Sequence, residues 1–500
     1  MVIPPKRRRD ASKLNSLSAT ESKSSASSLR IGSRINPLSF LPPEFTPFAE
    51  HVPLATMVRG LLEWTLDEAS VQSLFRDHAV TQYERELTLF GMVYLLIQVA
   101  AGVRASVFQA YQADQSAAVA HVQVSYQALY GKLARTDLAI PEALVRYGAE
   151  KLRPLAKALP PTQDQPIDGY RLRIVDGNAL AGSERRLKKL RRWAAACLPG
   201  KSLVVYEPAL GLVTDLVLCA DAYTQERVLV EDIVPQVQVN DLWVADRGFF
   251  TAKFLLGVAS RSGFFVVREH KQSLRWKALT ILKKRGRNAD GIIWEQKVLI
   301  TNPATGETLE GRRVELHLRK PTRNGDTVIA VFTNLPTSVA AKEVLAVYLE
   351  RWKVENHFQF LTDCLQCEVT GLGQPNAALC MFALAVLAGN ALGIVRAALR
   401  KAHGVEQERE VSGYYLADEV AGDYRTLMKL LPAEKWLVWR GLSIGQMTQL
   451  LPTIAQAVPI KALKRHPRGP KKPRGKLQFN RKRLHVSTAR LLAENTEDTC

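Results

Sequence analysis

Three acidic residues fall where carboxylates can do chemistry. Asp176 closes the apolar run RLRIV and is followed by glycine, so its carboxylate should emerge at the carboxyl end of a strand, the edge where open α/β sheets gather their sites. Asp246 has the same setting, after LWVA and before RGFF. If the two strands are neighbours, the pair either shares a proton or binds a cation, and oxygen donors without a His cluster favour Mg²⁺ or Mn²⁺ over Zn²⁺. A lone strand-end Asp is as easily a turn former or helix cap; two in matching contexts weigh against that. The third acid, Glu355, lies in a helical pattern. At about 100° per residue, Tyr348, Arg351, Glu355, Gln359 and Thr362 share one face. Arg351 and Glu355 also have the spacing of an ordinary i, i+4 ion pair on a solvated helix.

Several elements must hold these groups. From Phe45 to Leu159 apolar residues recur at three and four spacings, as in LATMVRGLLEW and LTLFGMVYLLIQV, which predicts an all-α unit. Within it, Ser125 is a candidate N-cap before a short helix with Lys132 and Arg135 at its far end, so a helix-turn-helix competes evenly with plain helix packing. After PPTQDQP the texture changes to short β-branched runs, then a helix, then the strand before Asp246, which predicts an α/β layer on a mixed sheet. Strands dominate from Gly263 to Thr333, and helices resume to about Lys401 and again from Tyr414 to Val458. Ala377 to Val395 is apolar except for Asn390; its interruptions and setting favour a buried core helix over a membrane span.

The chain has 500 residues, 47% of them hydrophobic, with 68 Lys and Arg against 48 Asp and Glu. That length suits two or three folded units, excludes a lone small module, and is rich enough in apolar residues to exclude a mostly disordered chain. The net charge of +20 is uneven: residues 1–35 carry about +6 and residues 461–483 about +11, leaving the middle nearly balanced. Both ends lack a core pattern and read as disordered basic arms suited to a polyanion. Six cysteines without a secretory leader suit a reducing, cytoplasmic setting. Cys364 and Cys367 form a CxxC, but the second pair that a structural zinc site needs is missing. The basic stretches ERRLKKLRRW (184–193) and LKKRGR (282–287) could line a DNA groove or simply be solvated.

DGN at Asp176, ADRGF around Asp246 and YLERWKVENHFQFLT around Glu355 together resemble the three catalytic blocks of DDE transposases of insertion-sequence family four. The third block is the distinctive one, with Tyr348, Arg351 and Glu355 at the family's spacing. The Lys that ends the family signature is Thr362 here, which offers a hydroxyl without the charge. The position where some relatives carry a base-stacking Trp is Ile329, leaving Trp276 or Trp294 as substitutes. The resemblance spans roughly 166–400. It implies a multidomain α/β protein: an RNase H-like mixed-sheet catalytic core interrupted by a β-rich insertion and preceded by an all-α DNA-binding domain. The boundaries expected are a disordered basic tail over 1–44, the helical DNA-binding domain over 45–165, the core over 166–262 and 333–401, and the insertion over 263–332. A C-terminal helical region over 402–460 and a basic disordered tail over 461–500 complete the chain.

By the same resemblance, Asp176, Asp246 and Glu355 are expected to be catalytic and to hold two Mg²⁺ or Mn²⁺ ions, about 3.5–4 Å apart in such sites. Tyr348, Arg351, Arg247, Arg268 and Thr362 would bind DNA. The expected partners are the double-stranded terminal inverted repeats and the target DNA, with a homodimer in the synapse and nucleoid association when bound. Neither a membrane nor a nucleotide cofactor is expected. Two rival expectations are a metal-dependent nuclease without strand transfer and an inactive, domesticated DNA-binding copy.

Overall fold

The computed structural model describes residues 36–80, 84–116, 120–180, 199–270, 274–322, 325–369 and 372–466. The expectations for 1–35, for the basic stretch 184–193 and for 467–500 therefore lie outside the described residues.

Seven helices come first: α1 (Thr46–His51), α2 (Pro53–Thr65), α3 (Glu68–His78), α4 (Leu89–Ala100), α5 (Val107–Gln115), α6 (Tyr126–Leu133) and α7 (Ala139–Ala158). Their starts follow local chemistry. Side chains of Asp67, Thr88 and Ser125 accept bonds from the first-turn amides of α3, α4 and α6, which satisfies donors that a helix leaves orphaned. Lys132 does not extend free from α6: its ammonium donates to the Leu87 carbonyl and lies over the Phe75 ring.

The middle of the chain builds one mixed sheet. Strands β1 (Arg171–Ala179), β2 (Lys201–Glu207) and β3 (Leu212–Cys219) form an antiparallel meander. Helix α8 (Glu226–Ile233) leads to β4 (Asp241–Ala245), and α9 (Ala252–Ala259) to β5 (Phe264–Arg268). β4 pairs parallel with both β1 and β5. β6 (Trp276–Ala278), β7 (Lys283–Arg287), β8 (Gly291–Thr301), β9 (Thr308–Leu318) and β10 (Val328–Thr333) complete the order β3-β2-β1-β4-β5-β10-β9-β8-β6, with β7 also on β8. The β-rich stretch expected as an insertion over 263–332 is part of this sheet. Its first strand, β5, lies beside β4, its last, β10, lies on the far side of β5, and β9, β8, β7 and β6 widen the same sheet beyond β10.

The last helices are α10 (Ala341–Leu349), α11 (Trp352–Cys364), α12 (Pro375–His403), α13 (Val405–Arg409), α14 (Gly413–Leu430), α15 (Ala433–Trp436) and α16 (Ile444–Ala455). α12 is long and apolar enough to cross a membrane by length and composition, but 94% of its most apolar window is buried. α2, α4, α7, α16 and β3 pack around it. The helices expected as a DNA-binding domain over 45–165 thus share one continuous core with α12, α14 and α16. Residues 37–44 and 461–464, expected in the two basic tails, are structured. Residues 37–45 form short 3-10 turns that bury Leu41 and Phe45, with Phe45 edge-on to Trp436 at 5.0 Å. At the other end Leu463 is buried and Lys464 bridges to Val411.

Alternation along the strands divides the interior in two. Ile174, Val204, Val244 and Val266 face the helical body, whereas Val175, Val205, Ala245 and Val267 face α8 and α9. A period of two is what a strand buried on both faces requires.

Candidate active site

The parallel register pairs Val175 with Ala245, so Asp176 and Asp246, each one residue further, end adjacent strands side by side. By alternation both point to the face that carries the helical body, where α11 packs against β1. Neighbourhood in the sheet, which the local sequence left conditional, is therefore met.

Arg351 joins the third acid to the first. One of its terminal nitrogens donates to Asp176 Oδ2 at 2.9 Å, and the other lies 2.7 Å from Glu355 Oε1. The guanidinium is buried and also lies 5.6 Å from the Trp352 ring centroid. The helix expected to run through Tyr348 and Glu355 is in fact two. α10 ends at Leu349, and the amides of Glu350, Arg351, Lys353 and Val354 each bond three residues back. This 3-10 junction tightens the chain at Arg351, placing Tyr348 on α10 and Glu355 on α11 with the guanidinium between them. Tyr348 is buried beside the site, and burial followed by the Asp246 charge raises its phenol pKa.

Electrostatics mark Asp176. Burial pushes its pKa up to about 7 against the pull of Arg351 and a Gly177 amide bond, and the charges of Glu226 and Asp246 push it the same way. Glu226, the first residue of α8, is itself shifted upward by burial and by Asp246, with Lys201 opposing. Sequence reasoning passed over Glu226. The available signal was the glycine that closely follows each strand-end aspartate, Gly177 and Gly248.

The donor set fits hard divalent cations: four carboxylates supply only oxygen, and one guanidinium leaves a net negative charge to be balanced. Among the described residues no three Asp, Glu, His or Cys side chains are gathered as a ready cage. Glu355 is held by Arg351, so it would have to leave that ion pair to reach a cation.

The remaining expected DNA contacts are dispersed. Arg247 is exposed immediately after Asp246, whose carboxylate accepts its backbone amide at 2.6 Å. Arg268 ends β5 and is ion-paired with Asp326 at 2.7 Å. Thr362 donates back to the Phe358 carbonyl at 3.0 Å and lines a cleft with Gly102, Glu368 and Asp418. Trp276 is engaged, its indole donating to Glu269 at 3.2 Å under the Arg313 guanidinium. Trp294 tilts against His317, and Ile329 packs on the core. Cys364, Cys367 and Cys380 are free thiols whose pKa values burial raises to about 11, 12 and 12. Neutral thiols at that level are poor metal ligands.

No curated protein is similar to the chain in sequence. Among solved structures it resembles a cryo-EM structure of the piggyBac transposase synaptic complex with hairpin DNA, at 10% identity. That likeness covers 78% of this chain and 84% of the other with a TM-score of 0.37, too distant to bear on the argument. Residues 168–390, which carry Asp176, Asp246, Arg351 and Glu355, match the family described as a transposase DDE domain, and this match supports a DDE transposase.

Proposed function

We propose that the protein is a cut-and-paste DNA transposase of the insertion-sequence family-four type, which excises an element at its terminal inverted repeats and joins it to target DNA. The observation that carries this reading is the side-by-side ending of β1 and β4 at Asp176 and Asp246, with Arg351 tying Glu355 to them. The sheet order 3-2-1-4-5 with β2 antiparallel to its neighbours supports an RNase H-like core.

Asp176, Asp246 and Glu355 would hold two Mg²⁺ or Mn²⁺ ions. When bound, such ions activate the attacking oxygen and stabilise the leaving oxygen of an in-line displacement at phosphorus. The chain's own groups bind and orient. Arg351, always charged and planar, would exchange a carboxylate partner for a phosphate oxygen, Tyr348 would present its hydroxyl beside it, and exposed Arg247 would meet the flanking backbone. Asp176 and Asp246, set by paired strands, would present their oxygens without backbone movement, which is the value of placing ligands on rigid elements, with Asp176 giving up its bond to Arg351 as Glu355 does. Double-stranded DNA is the partner in this reading, with a homodimer pairing two ends and a cytoplasmic, nucleoid-bound location.

The test uses purified protein, Mg²⁺, a labelled fragment from the DNA flanking the reading frame, and a target plasmid. Joined products are expected, lost in Asp176→Ala, Asp246→Ala and Glu355→Ala. Cleavage without joining would instead identify a nuclease, and binding without cleavage an inactive copy. Thr362, in place of the signature Lys, is the observation that favours the last alternative.

A further inference from the structure

α8 lies on the face of the sheet opposite α11, yet its first residue reaches the same edge. By the alternation of β1, Gly177 faces the α8 side. A Cβ built on Gly177 would collide with the Glu226 carboxylate, and one built on Gly248 would lie 3.6 Å from its other oxygen. A side chain directly behind Asp176, at Gly177, would thus bar Glu226, whereas one at Gly248 would only touch it. No hydrogen bond or ion pair engages this half-buried carboxylate among the described residues. Lys201, whose charge acts on it, gives its ammonium to the Thr224 carbonyl at 2.8 Å. An acid in the first turn of a helix is favoured by the helix dipole, but that preference requires neither the approach to two aspartates nor the opening at Gly177.

We propose that Glu226 is a fourth carboxylate ligand of the divalent-cation site at the ends of β1 and β4, reaching it from the α8 face while Arg351 and Glu355 close it from the α11 face. This assignment rests on the metal-dependent reading above. A free carboxylate on a short flexible stem can turn towards an arriving cation without breaking an existing bond, whereas Glu355 must first release Arg351. Glu226 would therefore take part in the earliest binding, before DNA draws the guanidinium away.

The experiment measures Mn²⁺ binding to the full chain without DNA, following the free ion by its electron paramagnetic resonance signal. Asp176→Asn and Glu226→Gln are each expected to weaken binding about tenfold or more, with thermal midpoints in chelator no lower than the parent's. Gly177→Ala leaves every charge in place but pushes the Glu226 carboxylate aside, and it should weaken binding in the same direction. Weakening by Asp176→Asn with parent-like affinity in Glu226→Gln would overturn the role of Glu226 while leaving the metal site standing. Parent-like affinity in Asp176→Asn would overturn the metal site itself and this inference with it.

Discussion

At the residue scale, the unusual group is a carboxylate that is costly to ionise. The carboxyl of Asp176 is raised from an ordinary 3.8 to about 7, with burial the largest cause. A carboxylate raised in the folded state costs nothing below its unfolded pKa, where both states are protonated, and costs most above its folded pKa. Metal-free stability should therefore fall as pH rises from about 4 to about 7, and Asp176→Asn should relieve that loss. At roughly 1.4 kcal/mol per pKa unit, the variant should be a few kcal/mol more stable at pH 8 and indistinguishable from the parent at pH 4. Thermal unfolding in chelator at the two values checks this; equal shifts at both would show that the effect is not titration. Arg351 is the second residue-scale test. It bonds Asp176 and Glu355 at once, so Arg351→Ala should lower strand cleavage roughly 100-fold or more. Arg351→Lys should recover little, because an ammonium lacks the fork that spans two carboxylates. Full cleavage by Arg351→Lys would mean that only charge is needed.

At the element scale, β3 depends on α12. Asn390, buried mid-helix, donates to the Val213 carbonyl at 2.9 Å and accepts its amide at 2.8 Å, satisfying the outer edge of a strand that would otherwise bury two unpaired backbone groups. Asn390→Leu should destabilise the fold by about 2–6 kcal/mol, at about 1–3 kcal/mol for each orphaned group. Denaturant melts should show it, and a change under about 1 kcal/mol would mean that water or a strand shift replaces the side chain. Asn390 stood out in the sequence only as an interruption of an apolar run. The contrast explains what was legible. Strand-end aspartates announce themselves because the pattern that makes a strand is local, and the apolar run of α12 likewise declared a core helix. Partners from elsewhere in the chain do not. The carboxylate of Glu226 meets Gly177 only through the α8 connection, and β5 joins β4 by a parallel pairing that strand texture alone could not distinguish from an insertion. The 3-10 junction at Arg351 carries no Pro or Gly to mark it. Leu41 and Leu463 read as tail because what buries them lies far away in the sequence.

At the scale of the whole molecule, catalysis and grip on DNA separate by charge. The proposed site is a concentration of carboxylates in a body whose charges nearly balance, while residues 1–35 and 461–483 hold about +17 of the net +20. Acids in the site repel a phosphodiester until cations arrive, so DNA must be held by something else. Each phosphate neutralised releases counterions and adds about 0.9 to the slope of log affinity against log salt. A chain trimmed to residues 36–466 keeps the buried Phe45 and Leu463 and the Val411–Lys464 bridge, so it should fold as the parent does. It should bind an unrelated duplex more weakly at 150 mM salt, and its salt slope should be lower by several units. It should also retain Mg²⁺-dependent cleavage when salt is low enough for the body alone to hold DNA. Fluorescence anisotropy across a salt series, with cleavage measured at the lowest concentration, tests both halves. An unchanged slope would move DNA affinity into the body, to surfaces such as exposed β7 with its Lys283, Lys284 and Arg287. Loss of cleavage with an intact fold would tie the basic ends to the chemistry itself.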